Sequence, residues 1–157
     1  MTREEKIKKV LDAARELLGT PYQYGAYAMA SPPSLKSPQT KKSLPEGVDC
    51  SSFVQHVYKK AEIDLPRSSV LQATRGRTVK NASDLKTGDL IFFEGAQGHY
   101  AHKLFQGKRI YIGHVAIYIG SGEIIHARAS LKRVAKQKLS SLTKNPYFAI
   151  KLIKRIV

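Results

Sequence analysis

The sequence predicts an α+β fold in which helices pack on one face of an antiparallel sheet of about five or six strands. The chain has 157 residues, and 42% of them are hydrophobic, which is enough to fill the core of one domain over residues 1–157. Apolar residues recur at helical spacing in the first half, whereas after Gly76 they form short runs divided by turn residues. The helices are therefore expected before the strands, and because strands joined by short turns pair antiparallel, the sheet is expected to be antiparallel.

The first predicted element is a helix within residues 1–19. Thr2 and Glu5 fit a capping box at its start, and Gly19 is placed to end it. Apolar residues between them recur every three or four positions, which indicates one buried face. Residues 29–47 are rich in Ser, Pro and Lys and lack periodicity, so they are expected to form a long exposed loop.

A second helix is predicted from about Asp49 to Ala61. Asp49 is placed to cap it, which puts Cys50 in its first turn. A short third helix follows, with Ser68 or Ser69 as its cap.

The strands are predicted in the second half of the chain. Their apolar runs are bounded by turn residues such as Gly88 and Gly120. The predicted strands cover residues 89–93, 114–119, 123–127, 133–139 and 147–156. Residues 94–111 are predicted to be an insertion before the second of these strands.

The charge is strongly positive, at +15 for the whole chain. Residues 95–157 hold 12 basic side chains and a single acidic one, Glu123. A basic surface in this C-terminal half suits a polyanion, such as an anionic wall polymer, a membrane surface or nucleic acid. No run reaches the roughly 18 apolar residues of a membrane helix, and the N-terminus lacks the pattern of an export signal.

Cys50 is the single cysteine, which excludes an internal disulfide and a Cys-rich zinc site. At a helix N-terminus the unpaired N–H groups favour a thiolate, so the pKa of the thiol is expected to be lowered. This position makes Cys50 a candidate nucleophile. A buried structural thiol is an equally good interpretation of the position alone.

A cysteine nucleophile needs a base, and the chain has five histidines. His56 lies on the opposite side of the second helix from Cys50 and is expected at the surface. His99 and His102 lie in the Gly-rich insertion, where two ligands give little support for a metal site. His114 and His126 lie on two consecutive strands that could form a hairpin.

The turn between these strands decides whether His114 and His126 share a face. A two-residue turn would place them on opposite faces, because side chains alternate along a strand. A three-residue loop over residues 120–122, with Gly122 in the left-handed conformation, pairs Ala116 with His126 and places both histidines on one face. Two unrelated strand histidines remain the alternative.

Five motifs in order carry a resemblance to a known family. They are Val48–Ser52, Leu65–Ser69 with Gln72, Leu85–Phe93, His114–Gly120 and Ile125–Ala127. On these motifs the chain resembles the NlpC family of papain-like cell-wall cysteine peptidases, from about Thr20 to Val157.

The resemblance implies a single catalytic domain with a papain-like, NlpC-type fold that acts on peptidoglycan stem peptides, at the bond from γ-D-glutamate to the diamino acid. It implies Cys50 as nucleophile, His114 as base and His126 as the residue that orients His114. It further implies substrate-binding roles for five residues around the cleft, namely Tyr22, Asp49, Ser51, Arg67 and Ser68. No metal and no organic cofactor is implied, and the place of action would be the cell wall, the periplasm or the extracellular space.

Two other functions use the same residues differently. A papain-like amidase or acyltransferase would need the same nucleophile and base on another amide or ester. A non-enzymatic, basic polyanion- or nucleic-acid-binding domain would need neither, so the presence of Cys50, His114 and His126 together favours an enzyme. The expected partners are therefore a peptidoglycan peptide and anionic wall polymers, with no specific nucleic acid.

Overall fold

The structure is a computed structural model that describes residues 1–26, 45–95 and 104–157. Most of the predicted loop over residues 29–47, and the part of the insertion that holds His99 and His102, lie outside the described residues.

The helices begin where their caps predict. Helix α1 spans Arg3–Glu16, and the capping box of Thr2 and Glu5 is present. Helix α2 spans Cys50–Lys59 with Asp49 as its cap. A short helix α3, Ser69–Gln72, is capped by the side chain of Ser68. Among the described residues, no helix combines the length and the apolar character that crossing a membrane requires.

Within the described residues, six strands form one antiparallel sheet in the order β1-β6-β2-β3-β4-β5. The strands are β1 Arg77–Thr78, β2 Leu90–Phe93, β3 His114–Gly120, β4 Glu123–Arg128, β5 Arg133–Lys138 and β6 Ile150–Arg155. The expected fold class and strand number are therefore confirmed. Strand β6 starts later than predicted, because Pro146–Phe148 forms a turn of 3-10 helix that Asn145 caps.

The sheet is covered on both faces. Helices α1 and α2 pack on one face, against residues such as Phe92, Val115 and Ile125. The other face holds Phe93 and Ile124 with Leu142 from a short helix α4, Leu139–Thr143, which the sequence did not predict. Because alternate side chains of β2 enter the two cores, every residue of this strand is buried.

The hairpin of β3 and β4 has the predicted register but a different turn. Ile117 lies opposite Ile125, and this pair belongs to the predicted register, in which residues 116 and 126 are the next pair. The loop has two residues, Ser121 and Gly122, whose φ angles of 54° and 74° are typical of a type I′ turn. The predicted three-residue loop is therefore wrong. The extra residue lies within β3, where the register shifts between Tyr118 and Gly120, as in a β-bulge.

Candidate active site

Cys50 is the first residue of α2 and contacts the segment that leads into β3. The Asp49 side chain accepts the Ser52 N–H at 2.9 Å, which fixes the loop-to-helix entry directly before the thiol. The Cys50 Sγ lies 4.0 Å from the carbonyl oxygen of Gly113, the residue before His114. The fold thus brings the start of α2 next to the start of β3.

The thiol is buried, with 8% of the residue exposed. Burial raises the pKa of Cys50 to about 11, and the nearby carboxylate of Asp49 adds to this shift. Hydrogen bonds with the backbone of Val115 and Ser51 act in the opposite direction but do not compensate. The predicted lowering of the thiol pKa by the helix N-terminus is therefore wrong, and the resting group at neutral pH is the thiol.

His114 and His126 lie on one face of the hairpin and contact each other. The Nε2 of His114 and the Nδ1 of His126 are 2.7 Å apart, which confirms the expected shared face. The exposed fraction is 7% for His114 and zero for His126. Burial lowers the pKa of His126 to about 4, and burial with the charges of His126 and Arg128 lowers the pKa of His114 well below 6.5. Both imidazoles are therefore neutral at pH 7.

Residues that the sequence analysis missed surround this pair. The Nε2 of His126 lies 2.7 Å from Oε1 of Gln137, which also accepts from Nη1 of Arg128 at 3.2 Å. The rings of Phe93 and Phe148 lie 5.8 Å and 5.3 Å from the ring of His114, between centroids. The signal for Gln137 was its position on β5: two residues from Ala135, which pairs with His126, it shares the face of that histidine.

Four of the five predicted substrate-binding residues lie together beside Cys50. Arg67 contacts both carboxylate oxygens of Asp49, at 2.8 and 3.1 Å, and donates to the Ser51 hydroxyl at 2.8 Å. Burial alone would raise the pKa of Asp49, but the hydrogen bonds from Arg67 and from the Ser52 N–H outweigh burial and lower it. The group is a charged cluster directly at the start of α2, in which Asp49 and Ser51 are buried and Arg67 is partly exposed.

Tyr22 and Ser68 complete the predicted set. The backbone of Tyr22 forms an isolated parallel β-bridge with Val48, two residues before Cys50. Burial, together with the nearby Cys50 and Asp49, raises the pKa of the Tyr22 hydroxyl to about 12. The hydroxyl of Ser68 instead accepts the Leu71 N–H at 3.3 Å, as the cap of α3. Ser68 therefore has a structural function in its helix.

His56 was expected at the surface, and this is wrong. Only 7% of the residue is exposed, on a helix that contacts α1 and the strands β3 and β4. Burial, followed by the charge of Lys60, lowers the pKa of His56 to about 4. In the part of the chain that the structure describes, no three His, Cys, Asp or Glu side chains group as metal ligands would.

Comparison with curated proteins finds relatives among enzymes. A gamma-DL-glutamyl hydrolase of Bacillus subtilis (strain 168) is 35% identical over 123 residues, which are 77% of this chain and 23% of that protein. A murein DD-endopeptidase MepS/murein LD-carboxypeptidase of Escherichia coli (strain K12) is 37% identical over 90 residues, 56% of this chain and 40% of that protein. A probable endopeptidase of Haemophilus influenzae is 32% identical over 77% of this chain and 58% of its own length. The chain thus spans less than two thirds of these relatives.

Solved structures share the fold. An NlpC/P60 family protein from Bacillus cereus ATCC 10987 superposes with a TM-score of 0.69 at 27% identity, over 96% of this chain and 40% of that one. The Trichomonas vaginalis NlpC1 structure gives a TM-score of 0.71 at 22% identity, over 99% of this chain and 45% of that one. The family model described as "NlpC/P60 family" matches residues 19–154. By this match over most of its length, the chain belongs to the NlpC/P60 family.

Proposed function

We propose that residues 1–157 form one catalytic domain, a cysteine peptidase that hydrolyses peptidoglycan stem peptides. Cys50 is the nucleophile, His114 the base and His126 the residue that orients His114. The observation that carries this proposal is the buried His114–His126 hydrogen bond at 2.7 Å, in the strand whose preceding residue contacts Cys50 Sγ. A binding module gains nothing from burying two neutral imidazoles beside a thiol.

The scissile bond that we propose joins γ-D-glutamate to the diamino acid. Supporting names among the relatives are gamma-DL-glutamyl hydrolase and, from Bacillus cereus, gamma-D-glutamyl-L-lysine dipeptidyl-peptidase, 40% identical over 81 residues. The murein relative is named as a DD-endopeptidase and LD-carboxypeptidase, so its name refers to other bonds of the wall peptide. The place of action that fits these relatives is the cell wall or the periplasm.

The reaction begins with a proton transfer. As the Cys50 Sγ attacks the amide carbonyl carbon, its proton passes to His114, and N–H groups at the start of α2 donate to the developing oxyanion. His114 then protonates the leaving amine, which breaks the C–N bond and leaves a thioester. A water molecule, deprotonated by His114, attacks the thioester, and the carboxylic acid and the thiol are released.

The charged cluster at the start of α2 supplies the substrate-binding groups. We assign Asp49 and the Tyr22 hydroxyl to the free amine of the stem peptide, since a buried carboxylate and a phenol oxygen both accept from an ammonium. Arg67 holds Asp49 in place through the two contacts described above, and the Ser51 hydroxyl donates to Oδ1 of Asp49 at 3.3 Å. Ser68, whose hydroxyl caps α3, is assigned to the cleft as the residue next to Arg67.

The basic residues of β5 and the turn before it provide a second binding surface, for anionic wall polymers. Lys132 precedes the strand, and Arg133, Lys136 and Lys138 lie along it at the edge of the sheet. Glu123 is the acidic residue of β4; it lies 3.9 Å from Lys136 and opposite Lys138 in the register, so the four basic residues share one carboxylate on that strand. Neutralising the four residues should weaken binding to whole walls more than it weakens cleavage of small soluble peptides. Equal losses on both substrates would contradict a separate binding surface.

Purified stem peptides, with the fragments identified by mass, test the proposed activity. The wild type should cut between γ-D-glutamate and the diamino acid, and Cys50→Ala and Cys50→Ser should lower turnover by several orders of magnitude while staying folded. Near-normal turnover in either variant would remove the cysteine mechanism. Cleavage at another bond would keep the mechanism and replace the substrate, and transfer of the acyl group to an added amine would favour the acyltransferase.

A further inference from the structure

The orientation of the Gln137 amide is fixed by its two neighbours. A guanidinium group can only donate hydrogen bonds, so the Gln137 atom 3.2 Å from Nη1 of Arg128 must be the carbonyl oxygen and not the amide nitrogen. The same oxygen lies 2.7 Å from Nε2 of His126. Rotating the amide would place its NH2 group against the guanidinium, which is also a donor.

This orientation determines where the hydrogen of each histidine lies. A carbonyl oxygen only accepts, so Nε2 of His126 carries the hydrogen and, since the ring is neutral, Nδ1 accepts. The partner of that Nδ1 is Nε2 of His114, which therefore carries the hydrogen and donates. Nδ1 of His114 is then the unprotonated nitrogen, and it is the one that remains for exchange with the thiol of Cys50.

The backbone and an aromatic ring hold this chain of contacts. Ile124 pairs with Gln137 and Ala135 with His126, so Gln137 and His126 are diagonal neighbours on adjacent strands. Arg128 ends β4, and its Cζ lies 5.0 Å from the centre of the Phe148 ring, as in a cation–π contact. The same Phe148 ring lies edge-on to His114.

We propose that Gln137, held by Arg128, is a positioning residue that selects the tautomers of both histidines and thereby makes Nδ1 of His114 the catalytic base. This inference rests on the proposed function of Cys50 and His114. It specifies which tautomer of His114 the reaction needs, because an imidazole with its hydrogen on Nδ1 presents an N–H to the thiol and cannot accept the thiol proton.

Two variants of Gln137 separate this function from simple packing. Gln137→Met keeps the volume and removes the acceptor, so kcat on a soluble stem peptide should fall about 10- to 100-fold with little change in KM. Gln137→Glu keeps the shape and adds a negative charge that favours the imidazolium form of His126. That imidazolium donates from both nitrogens, which forces the hydrogen of His114 onto Nδ1, so kcat should be lost at low pH and recovered as the pH rises.

The groups that face the two imidazoles are the same in both variants. They are Arg128 from β4, which acts on both rings, and His126, which acts on His114. The thiol of Cys50 from α2 contacts the carbonyl of Gly113, the residue before His114. The acid limb of the kcat profile should therefore move to higher pH in Gln137→Glu and in no control. Gln55→Met and Gln55→Glu are the matched controls, since Gln55 lies on α2 and donates to the carbonyl of Leu65 outside the site.

Nitrogen-15 NMR of the histidine rings reads the tautomers without any activity, so it can be recorded in the Cys50→Ala protein. In the Cys50→Ala protein that keeps Gln137, we expect the hydrogen on Nε2 of both rings. After Gln137→Met or Arg128→Met we expect a mixture of tautomers. Hydrogen on Nδ1 of His126, or an unchanged kcat and pH profile in both Gln137 variants, would overturn the proposal. If the Cys50 variants retain turnover, the proposed function fails instead, whatever the tautomers are.

Discussion

The ion pair between Asp49 and Arg67 should contribute more to stability than a pair at the surface does. The Asp49 side chain is 9% exposed and the Arg67 side chain 24%, and Arg67 also donates to the Ala26 carbonyl at 2.6 Å. Removing one partner of a fully buried pair costs about 3–5 kcal/mol, whereas surface pairs contribute about 0–1. Arg67 is partly exposed, and Asp49 keeps hydrogen bonds from the Ser52 and Gly25 N–H groups. We therefore expect Arg67→Met to cost about 2–3 kcal/mol of unfolding free energy.

A double-mutant cycle isolates the charge term of this pair. Asp49→Asn removes the charge but keeps an oxygen for the Ser52 N–H, since asparagine caps helices nearly as well as aspartate. With Asn at residue 49, Arg67→Met should cost only about 1 kcal/mol, for the lost contacts to the Ser51 hydroxyl and the Ala26 carbonyl. The coupling free energy should thus be about 1–2 kcal/mol.

Urea unfolding of the four proteins at pH 7, with similar m-values, measures this coupling. The pKa of Asp49 is lowered, so the contribution of its charge is fully present above the usual value of 3.8 and is lost as the pH falls through the lowered value. The cycle should therefore give the same coupling at pH 5.5 as at pH 7. A coupling below about 0.5 kcal/mol at both pH values would refute the argument that burial makes this pair strong.

Three further predictions concern the thiol, the buried histidine of α2 and the hairpin turn. Iodoacetamide should modify Cys50 slowly at pH 7, with a rate that still rises at pH 9, because the pKa of the thiol is raised to about 11; a plateau near pH 7 would contradict this. The folded pKa of His56 is about 4, so between pH 6.5 and about 4 unfolding takes up a proton at this residue and the free energy of unfolding decreases as the pH decreases. His56→Leu should reduce the slope of unfolding free energy against pH by up to about 1.4 kcal/mol per pH unit, and an unchanged slope would count against this explanation. Gly122→Val should lower both stability and turnover, since φ is 74° there, whereas Ser121→Asn, which suits the type I′ turn, should leave turnover intact; equal effects of the two would sink the explanation.

The helix boundaries could be predicted from the sequence because their determinants are local. The capping box of Thr2 and Glu5 lies within four residues, and Asp49 contacts a backbone N–H three positions later. Such signals involve no other part of the chain, so a short window of sequence contains all of them. Helix α4 and the late start of β6 depend instead on how residues after β5 pack on the sheet, and no periodicity marks them.

The residues that complete the site depend on contacts between distant segments. Gln137 contacts His126 only because β4 and β5 pair in one particular register. His56 is likewise buried on a helix, α2, whose contacts are with α1 and with the distant strands β3 and β4. A polar residue on an inward strand face was a weak signal for Gln137, and nothing in the sequence around His56 indicated its burial.

The hairpin shows how a correct conclusion could rest on the wrong local structure. In a regular hairpin with a two-residue turn, His114 and His126 would lie on opposite faces. To share a face they need one additional residue between them that is not paired across the hairpin, and the sequence allows this in two ways. One is a third loop residue, and the other is a bulge inside β3 with a two-residue turn. Glycines at 120 and 122 permit both, and the structure has the bulge, with a φ of 95° at Gly120.

The thiol pKa decides how the nucleophile has to be activated. A charge at a helix N-terminus is stabilised by about 0.3–1 kcal/mol, or less than one pKa unit, whereas full burial moves a pKa by up to about 3–5 units. Burial therefore outweighs the helix, and the resting site holds a protonated thiol and a neutral imidazole. The proton must then leave Sγ during the attack itself, which requires an unprotonated nitrogen of His114 facing the thiol. We therefore expect the rate in this site to depend less on a preformed thiolate than on which nitrogen of His114 carries the hydrogen.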